Sequence, residues 1–572
     1  MKHELDIFTI RHLLERSAKR HGKRLALSLI GQEKDQLTYE QLLQRVDSVA
    51  TYLMKIGVQQ GEKIALLGEN HPNWVIAYLA IVSAGAVAVP ILPDFSSFEI
   101  GHILSHSKSK ALFVSSRLFE KTLPFSSEAE HLLVRIDDLF HIPAPVSLTL
   151  NTNVDFTEAP GKDMAKTKAN LKSLEKRFTE EDELVSIIYT SGTTGSSKAV
   201  MLSNKNLCSN ASASTRQFFK VRSGMRFLSI LPLSHSYEFT IGFLLPLTCG
   251  CEIHYLGKAP AASLLLPALK KIKPHVMLSV PLLIEKIYRS SVLPQINNNP
   301  KISRLYHKKF FRKFINSVIG KKLVGTFGGR LKFFGVGGAA LEREVEQFLK
   351  ESKFPYAIGY GLTETSPLLA GSGPKQTKVG SVGPPLKGVQ LRIAGDGVGE
   401  IEALGPNVML GYYQNDELNS QSFTPDGWFK TGDLGEIIKG RLYLRGRSKT
   451  MILGPGGENI YPEIIESLIN NRTFVQESLV FSDEEGLAAL IKLDLELMAE
   501  SLKISATEAK ERALFYLSSL REEINKELSS FSRIRRVELQ DEPFQRTPTL
   551  KIKRYLYNLK KGISGDKKEK KE

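Results

Sequence analysis

The first 150 residues alternate between two hydrophobic patterns. Stretches with apolar residues three and four positions apart, typical of amphipathic helices, are followed by short runs of aliphatic residues, typical of buried strands. Leu25–Ile30 and Lys63–Leu67 have the strand pattern, and Pro72–Ser83 has the length and apolar content of a buried helix. Strands that alternate with helices form a parallel sheet with helices on its faces. The pattern therefore predicts an α/β fold.

The alternation resumes after a polar, highly charged stretch at 155–182, which we expect to be a surface connection. Leu184–Tyr189 is a short apolar strand, and helix and strand patterns then alternate to about residue 370. After Gly380, short strand-like segments separated by glycine and proline predict a small barrel or a distorted sheet. From about residue 450 we expect an α+β unit, with helices at 461–470 and 505–528 and strands at 475–481 and 487–493.

One apolar segment raises the question of a membrane span. Val75 to Leu92 is 18 residues without a charge, which is close to the minimum length of a transmembrane helix. A glycine, a change to β-branched residues and a proline within it favour two short elements instead. We expect a buried helix, a turn at Ala84–Gly85 and a strand Ala86–Val89 that ends at Pro90.

The charge and the cysteines narrow the choice of partners. Lys and Arg number 77 against 61 Asp and Glu, so the formal net charge is +16, which favours nucleotides, nucleic acid or acidic lipid as partners. Three cysteines do not make a disulfide framework, and we expect Cys249 and Cys251 to be a reduced apolar pair in a strand. The charged N-terminus lacks the apolar region of a secretory signal, so a cytoplasmic location is expected.

The segment with the most distinctive chemistry is the glycine-rich loop between Tyr189 and Lys198. Its two glycines would let backbone N–H groups approach phosphate oxygens, its hydroxyls would add donors, and its lysine would add a positive charge. The residues in question are Thr190, Ser191, Gly192, Thr193, Thr194, Gly195 and Lys198. The loop lacks the Gly-Lys-Ser/Thr ending of the P-loop in common nucleoside triphosphatases. Taken alone, it could also be a flexible polar loop.

This loop resembles the signature of the adenylate-forming superfamily, which includes acyl-CoA synthetases, adenylation domains of peptide synthetases and firefly luciferase. Other motifs of the family occur in the expected order. They are Leu231–His235, Gly337–Leu341, Gly359–Glu364, Trp428–Asp433, Gly446–Lys449, Gly456–Pro462 and Thr547–Lys551. Because the motifs agree in order over roughly 360 residues, the chain is identified as a member of this family.

The resemblance implies roles around the triphosphate and the adenine. The glycine-rich loop would hold the β- and γ-phosphates, Glu364 and Thr190 would hold Mg²⁺, and Thr363 would donate to the α-phosphate. Tyr360 would stack on the adenine. The other residues expected beside the nucleotide are Gly337, Gly338, Ala339, Gly359 and Gly361. Without the family, Glu364 would be interpreted as a surface residue and Tyr360 as a core tyrosine.

The resemblance also implies roles at the ribose and the carboxylate. Asp433 would accept hydrogen bonds from the ribose hydroxyls, and Arg447 would contact ribose and phosphate. His235 would line the carboxylate pocket, and Lys551 would reach the substrate carboxylate and the α-phosphate. Without the family, Asp433 would be an ordinary turn residue, and Lys551 one of several basic residues near the end of the chain.

For the fold, the resemblance implies a large N-terminal domain and a small mobile one. The large α/β domain would contain two mixed or parallel helix-flanked sheets and a β-barrel-like region. Its expected limits are 1–446, followed by a hinge at 447–450, an α+β C-terminal domain at 451–560 and a disordered lysine-rich tail at 561–572. Lys449 would be the hinge residue, and the loop with Gly456 and Gly457 would line the path of the thiol acceptor.

Two features bear on the acid substrate. His235–Glu238 resembles the His-x-x-Glu variant of long-chain fatty acid synthetases of bacterial type, and the motifs at 456–462 and 547–554 look closest to the same branch. Between Glu285 and Glu342 there are twelve Lys and Arg and no acidic residue, with aromatic and aliphatic residues among them. Such a stretch suits an anionic membrane surface. The alternatives are a solvated basic helix and a site for an acidic carrier protein or the phosphates of coenzyme A.

The expected activity is ATP-dependent activation of a long-chain fatty acid. Acyl-adenylate and pyrophosphate would form first, and the acyl group would then pass to a thiol. Coenzyme A is the expected acceptor and acyl carrier protein the alternative. A non-catalytic lipid- or nucleotide-binding relative is the alternative of another class. We expect neither a fused carrier domain nor luciferin as the substrate. A basic stretch without a recognised motif gives no reason to expect nucleic acid.

Overall fold

A computed structural model describes most of the chain. The described residues are 6–125, 132–142, 161–190, 198–258, 260–448, 450–453, 459–483, 486–547 and 552–557. Their strands form sheets of eight, nine, four, two and three strands. Within this part of the chain no helix has both the length and the apolar character needed to cross a membrane.

The helices cover the sheets and alternate with the strands along the chain. Those before residue 300 are α1 Ile10–His21, α2 Tyr39–Lys55, α3 Pro72–Ser83, α4 Ser97–Ser107, α5 Leu171–Glu175, α6 Asn204–Gln217, α7 Leu245–Cys249, α8 Ala262–Ile272, α9 Pro281–Ile287 and α10 Leu293–Asn297. The later ones are α11 Pro300–Tyr306, α12 Lys309–Thr326, α13 Arg343–Glu351, α14 Asp416–Ser422, α15 Pro462–Asn470, α16 Leu495–Leu502 and α17 Ala506–Glu527. Short 3₁₀ and π segments connect several of them.

Two large sheets have parallel centres and antiparallel edges. The eight-stranded sheet contains, in spatial order, β16 Leu368–Gly371, β15 Tyr356–Gly361, β14 Phe333–Val336, β13 Val276–Ser279, β11 Arg226–Ser229, β12 Glu252–Tyr255, β1 Leu25–Leu29 and β2 Gln32–Thr38. The nine-stranded sheet contains β19 Gly411–Tyr412, β10 Lys198–Ser203, β9 Leu184–Thr190, β4 Val87–Ile91, β3 Lys63–Leu67, β5 Ala111–Val114, β6 Leu132–Arg135, β7 Phe140–Ile142 and β8 Lys162–Asp163. The expected α/β class is confirmed, with two mixed sheets flanked by helices.

The uncharged segment that begins at Val75 is a helix and a strand, as expected. Every residue of α3 is buried, because the helix packs in the hydrophobic core that joins the two large sheets. The expected end of the strand at Pro90 is wrong, since β4 continues to Ile91. On one side of β4, Pro90 lies opposite Leu66 of β3. On the other side, the pairing of β4 with β9 is between Ala88 and Ser186. Pro90 thus lies beyond the paired position on that side, where a missing N–H is tolerated.

The region after Gly380 is a sheet, which decides between the two structures expected there. Its four antiparallel strands are β17 Gln390–Ile393, β18 Gly399–Leu404, β20 Phe429–Ile438 and β21 Arg441–Arg447, in that spatial order. The sheet has register shifts between β18 and β20 and between β20 and β21. It is therefore the distorted sheet and not the barrel.

The chain after Arg447 has a hydrophobic core of its own. A hairpin of β22 Ile452–Leu453 and β23 Asn459–Ile460 precedes a sheet of β24 Val475–Asp483, β25 Gly486–Leu493 and β26 Arg536–Leu539. Helices α15 and α17 pack with this sheet in one cluster of buried residues. The two helices and two strands expected here are confirmed. The exact domain limits, with a hinge at 447–450, stay a prediction.

The cysteines are reduced and buried, but the pair is not in a strand. Cys249 ends α7 and Cys251 precedes β12, with Gly250 between them at a φ of +72°. A left-handed residue ends a helix, and glycine adopts that conformation most easily. His254 of β12 forms a short contact of 2.6 Å with the Ser28 hydroxyl.

Candidate active site

The motifs of the eight-stranded sheet meet at one edge. The strands β11, β14 and β15 are parallel members of this sheet, and each leads directly into a motif. The first two motifs begin at Leu231 and Gly337, and the third, Gly359–Glu364, begins in the last residues of β15. Because the carboxyl ends of parallel strands lie on the same side of a sheet, loops from distant parts of the sequence come together there.

Asn70, which the sequence analysis did not single out, holds the loop that carries His235. Its side-chain amide donates to the Leu231 carbonyl at 2.6 Å and to the Ser229 hydroxyl at 3.1 Å, and its oxygen accepts from the Leu233 N–H at 2.8 Å. Asn70 follows β3 of the other large sheet. The only signal in the sequence is a polar residue between a strand and a helix start.

The loop after β11 packs against the glycine-rich end of β14. The Tyr237 N–H donates to His235 Nδ1 at 3.2 Å, which orients the imidazole. The Tyr237 ring lies against Gly337, where a Cβ would come within 3.2 Å of two ring carbons. A side chain at 337 would therefore force the Tyr237 ring to shift. Gly338 and Ala339 follow Gly337 and are exposed.

Thr363 is held between two loops. Ser236 donates to the Thr363 hydroxyl at 3.4 Å, which joins the His235 loop to the segment after β15. Two buried asparagines clamp that segment: Asn407 donates to the Thr365 carbonyl at 2.8 Å, and Asn210 donates to the Leu368 carbonyl, also at 2.8 Å. Buried amides that donate to backbone carbonyls fix the position of the backbone. The site side chains thus sit on a rigid support.

Two glycines in β15 allow its close contact with β16. Gly359 is opposite Gly371 in the register of these strands. At Gly361, a Cβ would lie only 1.8 Å from the Pro367 carbonyl oxygen, so no other residue fits. Tyr360, between these glycines, is buried, and its hydroxyl contacts the hairpin formed by β20 and β21. The backbone spacing thus decides where this tyrosine hydroxyl is placed.

At this hairpin, Tyr360, Asp433 and Arg447 form one connected group. The Tyr360 hydroxyl donates to Asp433 Oδ2 at 2.9 Å, and Arg447 Nε lies 3.0 Å from Asp433 Oδ1. Asp433 and Arg447 are direct cross-strand partners in the register of β20 and β21. Burial, and then the nearby Asp433 charge, raises the pKa of Tyr360, so its hydroxyl remains a donor. Each carboxylate oxygen has a second acceptor position, so a diol could still bind to Asp433.

A second group lies where β10, β19 and the Glu364 segment meet. The Tyr412 hydroxyl donates to Glu364 Oε1 at 2.9 Å, and Lys198 Nζ lies 3.5 Å from the same hydroxyl and 4.9 Å from the centre of the ring. Burial and the Glu364 charge raise the pKa of Tyr412. Thr190 is opposite Lys198 in the β9–β10 register. Tyr412 was not anticipated, although it lies in a Gly-Tyr-Tyr sequence that follows the Glu364 motif.

The residues assigned to Mg²⁺ suit an ion that arrives with a nucleotide. The described residues hold no group of three or more His, Cys, Asp or Glu side chains that could bind a metal by themselves. Mg²⁺ bound to a nucleotide needs only one or two protein carboxylates, since phosphates and water supply the remaining oxygens. The Glu364 carboxylate and the Thr190 hydroxyl offer oxygen ligands next to the Lys198 charge, so they fit Mg²⁺ carried by a triphosphate.

Glu238 is a buried acid beside the site that the sequence analysis used only as part of a motif. It is 1% exposed, and in the described part of the chain its Oε2 has no hydrogen-bond partner. Burial raises the pKa of this carboxyl to about 8. A carboxyl with that pKa is mainly protonated at neutral pH. Glu238 thus adds little negative charge near the loop of His235.

Nine of the expected residues lie outside the described part of the chain. They are Ser191, Gly192, Thr193, Thr194, Gly195, Lys449, Gly456, Gly457 and Lys551. Their assigned roles stay predictions. Of the remaining expected residues, Tyr360 contacts Asp433, and Asp433 contacts Arg447. Glu364 and Lys198 are joined through Tyr412.

Comparisons with solved structures agree with this fold. In solved structures, ATP-bound MatB from Rhodopseudomonas palustris has the same fold, with a TM-score of 0.74 at 23% identity over 96% of this chain and 98% of that one. The o-succinylbenzoate CoA synthetase of Bacillus subtilis, bound to its acyl-adenylate, has a TM-score of 0.71 at 23% identity over 97% of this chain and 99% of its own. At this identity the likeness concerns the fold.

Sequence relatives cover nearly as much of the chain. A chloroplastic long-chain-fatty-acid–[acyl-carrier-protein] ligase from Arabidopsis thaliana is 28% identical over 94% of this chain and 83% of its own length. A long-chain-fatty-acid–CoA ligase from Mycobacterium bovis is 29% identical over 80% of this chain and 78% of its own. A family model described as AMP-binding enzyme matches residues 14–413. The resemblance inferred from the motifs is thereby confirmed, and the chain belongs to the AMP-binding enzyme family.

Proposed function

We propose that the protein activates long-chain fatty acids in two steps. In the first step a carboxylate oxygen attacks the α-phosphorus of ATP, the bond to the β-phosphate oxygen breaks, and pyrophosphate leaves. In the second step a thiolate attacks the acyl carbon and AMP leaves, which gives the thioester. The names of the relatives support the acid: ligases from Arabidopsis thaliana, Mycobacterium bovis and Saccharomyces cerevisiae are all named for long-chain fatty acids.

The hydrogen-bonded group at the hairpin would hold the nucleotide. Asp433 would accept from the ribose hydroxyls with its remaining lone pairs, while the Tyr360 hydroxyl and Arg447 keep the carboxylate in place. Preorganised partners of this kind do not have to reorient when the substrate binds. Gly337, Gly338, Ala339, Gly359 and the ring of Tyr360 would form the adenine surroundings.

The second group would meet the triphosphate. Lys198, with the glycine-rich loop before it, would offset the charge of the β- and γ-phosphates, and Thr363 would donate to the α-phosphate. Glu364 and Thr190 would hold Mg²⁺, which when bound neutralises charge on the phosphate oxygens. Tyr412 would position Glu364 through the 2.9 Å hydrogen bond. His235, oriented by the Tyr237 N–H, would face the incoming carboxylate.

The C-terminal domain would exchange one catalytic surface for another between the two steps. Lys551 would contact the carboxylate and α-phosphate during adenylation, and the loop with Gly456 and Gly457 would border the thiol path afterwards. Lys449 would be the hinge. Rotation about a few loop residues is a common form of domain closure. A cytoplasmic location, with contact to the inner face of the cell membrane, is part of this proposal.

The observation that carries the proposal is that Tyr360, Asp433 and Arg447 meet, although 73 residues separate the first two. The test is to incubate the purified protein with ATP, Mg²⁺ and palmitate, and to measure AMP release with coenzyme A or with acyl carrier protein. Release with coenzyme A would support the main proposal. Omission of palmitate is the control. No release with either thiol would contradict activation of long-chain fatty acids.

The acyl carrier protein is the second candidate for the acceptor. It is favoured by the Arabidopsis thaliana relative, which is named as an acyl-carrier-protein ligase and matches 94% of this chain. Release of AMP only with the carrier protein would leave the site assignments unchanged and replace coenzyme A as the acceptor. Free fatty acids would then enter lipid synthesis directly.

A further inference from the structure

The helix α12 exposes an aromatic and basic surface. Phe310 is 80% exposed and Phe314 66% exposed, and Val318 continues their row at four-residue spacing. Residues four apart lie on the same side of a helix, so the three side chains form one stripe. Five basic residues and no acidic residue are found in α12. We call this surface the α12 face; it consists of Phe310, Phe311, Phe314, Val318, Lys309, Lys313, Lys321 and Lys322.

The opposite side of α12 is fixed to the large domain. Arg312 binds both oxygens of Glu351, at 2.8 and 3.0 Å, and the Asn316 amide donates to the same carboxylate at 2.9 Å. Ile319 and Leu323 are buried in the core beneath. At Gly320 a Cβ would lie 2.5 Å from the Ser352 carbonyl oxygen, so the helix approaches its neighbour closely. These contacts prevent the helix from turning its aromatic side chains inward.

The charge around the α12 face extends beyond the helix. The preceding helix α11 contributes Lys301 and Arg304, both exposed, and Leu305 is exposed beside them. Among the described residues, the acidic side chain that binds α12 is Glu351, which is paired with Arg312. Exposed aromatic side chains between uncompensated lysines are the composition of a helix that lies in the interface of an anionic bilayer.

We infer that the α12 face docks on an anionic lipid bilayer, with Phe310 and Phe314 inserted between lipids and the lysines on the head groups. The purpose of this docking rests on the proposed function: the enzyme would collect its fatty acid from the bilayer in which the acid is dissolved. An acidic carrier protein would also match the charge. However, two phenylalanines that protrude from a rigid helix match an acyl-chain region better than a polar protein face.

A second exposed apolar site on the molecule provides a matched control. Phe515 of α17 is 79% exposed and Leu514 is 63% exposed. That helix has five acidic and four basic residues, so an anionic surface would not attract it. Phe515→Ser therefore removes an aromatic group as exposed as Phe310 from a surface of different charge.

The experiment is co-sedimentation of the full chain with vesicles of phosphatidylcholine alone or with one-third phosphatidylglycerol. Binding is expected only with the anionic lipid and should weaken with salt. F310S/F314S should reduce the partition coefficient by ~10-fold or more, because two inserted rings are lost. Replacing Lys313 and Lys321 by Gln should reduce it by ~25-fold, since each lysine near such a surface contributes roughly five-fold. F515S should bind as the unchanged protein does.

The outcomes separate the docking surface from the catalytic proposal. Each variant is also assayed for AMP release with palmitate in detergent, without vesicles, where F310S/F314S should keep its activity. Vesicle binding without AMP release would contradict the proposed function and leave the surface in place. The inference would be overturned if the unchanged protein did not bind vesicles, or if F515S lost as much vesicle binding as F310S/F314S. It would also be overturned if F310S/F314S lost binding to acyl carrier protein but kept its binding to vesicles.

Discussion

In the large domain the candidate site is held together by side-chain contacts among its own residues, whereas Arg289 of the large domain contacts the C-terminal domain through backbone carbonyls. Tyr360, Asp433 and Arg447 bind one another directly. The C-terminal domain follows Arg447 along the chain and meets Arg289, which donates to the Val475 carbonyl at 2.9 Å and the Asn470 carbonyl at 3.2 Å. A backbone carbonyl accepts from many donors, so another donor or a water molecule can replace Arg289 as its partner.

The difference indicates a division of labour. A site that must bind the same nucleotide through two reactions benefits from fixed geometry, which is provided by the buried hydrogen bonds of the large domain. In the proposed mechanism the C-terminal domain brings a different surface to each reaction, so it must be able to leave its position, and replaceable contacts would permit this. We therefore expect substitutions in the large domain to affect both steps and substitutions in the C-terminal domain to affect one.

The largest effect is expected for Lys551→Ala. Loss of a cation at the α-phosphate should slow adenylation by ~10²-fold or more, a size typical of one group that stabilises transition-state charge. Thioester formation from supplied acyl-adenylate should be unchanged, because Lys551 would not face the site in that step. The two half-reactions are measured separately, and Lys553→Ala is the control. Equal loss in both steps, or survival of both, would contradict the assignment of Lys551.

Asp433→Ala should weaken nucleotide binding in both steps. The variant loses charge-assisted hydrogen bonds to the ribose, each worth roughly 1.5–3 kcal/mol, so the KM for ATP should rise by ~10- to 100-fold. The affinity for AMP should fall by a similar factor. Asp426→Ala, which removes an exposed acid of the same region, is the matched control. An unchanged KM for ATP would contradict the ribose role.

Glu238→Gln should change how the stability of the large domain depends on pH. The folded-state pKa of about 8 is above the ordinary value, so the stability of the unchanged protein falls as pH rises towards 8. Between pH 6 and 8 the unchanged protein should lose about 2 kcal/mol more than the variant. Both tryptophans, Trp74 and Trp428, lie in the large domain, so urea unfolding followed by tryptophan fluorescence reports that domain.

The control for this measurement is Glu511→Gln on the exposed surface of the C-terminal domain, which should leave the pH dependence of the tryptophan signal unchanged. Parallel pH profiles for Glu238→Gln and the unchanged protein would show that Glu238 is ionised in the folded state, against the effect of its burial.

The smallest effect is expected for Arg289→Ala. Its contacts with the C-terminal domain involve two carbonyls, and Glu342 is its partner within the large domain at 2.5 Å. Removal should change the ratio of the two half-reaction rates by about two- to three-fold, the size of one partly exposed hydrogen-bonded group. Arg289→Lys should restore part of the change. A uniform loss in both steps would instead indicate a structural defect of the large domain.

The order of helices and strands could be predicted from the sequence because the spacing of hydrophobic residues depends only on residues that are close in the chain. Pro72–Ser83 was correctly identified as a buried helix. Errors occurred where a distant strand decided the outcome. The strand β4 continues through Pro90 because it pairs with β3 as far as Ile91, which lies opposite Leu67. Cys249 and Cys251 are separated by a helix end.

The candidate site shows the same limit. Motifs with distinctive composition, such as those that contain Glu364 and Asp433, were found from the sequence. Asn70 and Tyr412 were missed, although they contact Leu231 and Glu364 directly. Neither lies within a motif that the sequence made recognisable, and both reach the site from the nine-stranded sheet, across the core.

The sequence by itself determined the fold class, the family and the chemical types of the residues at the site. It also showed the basic stretch between Glu285 and Glu342. Only the tertiary structure decided which of these residues meet, that Asp433 has partners on both oxygens, and that Phe310 and Phe314 point to solvent while the other side of α12 is bound to Glu351. The reason is physical: hydrophobic period is set by residues close in sequence, whereas contacts between side chains are set by the packing of strands and helices that are far apart in it.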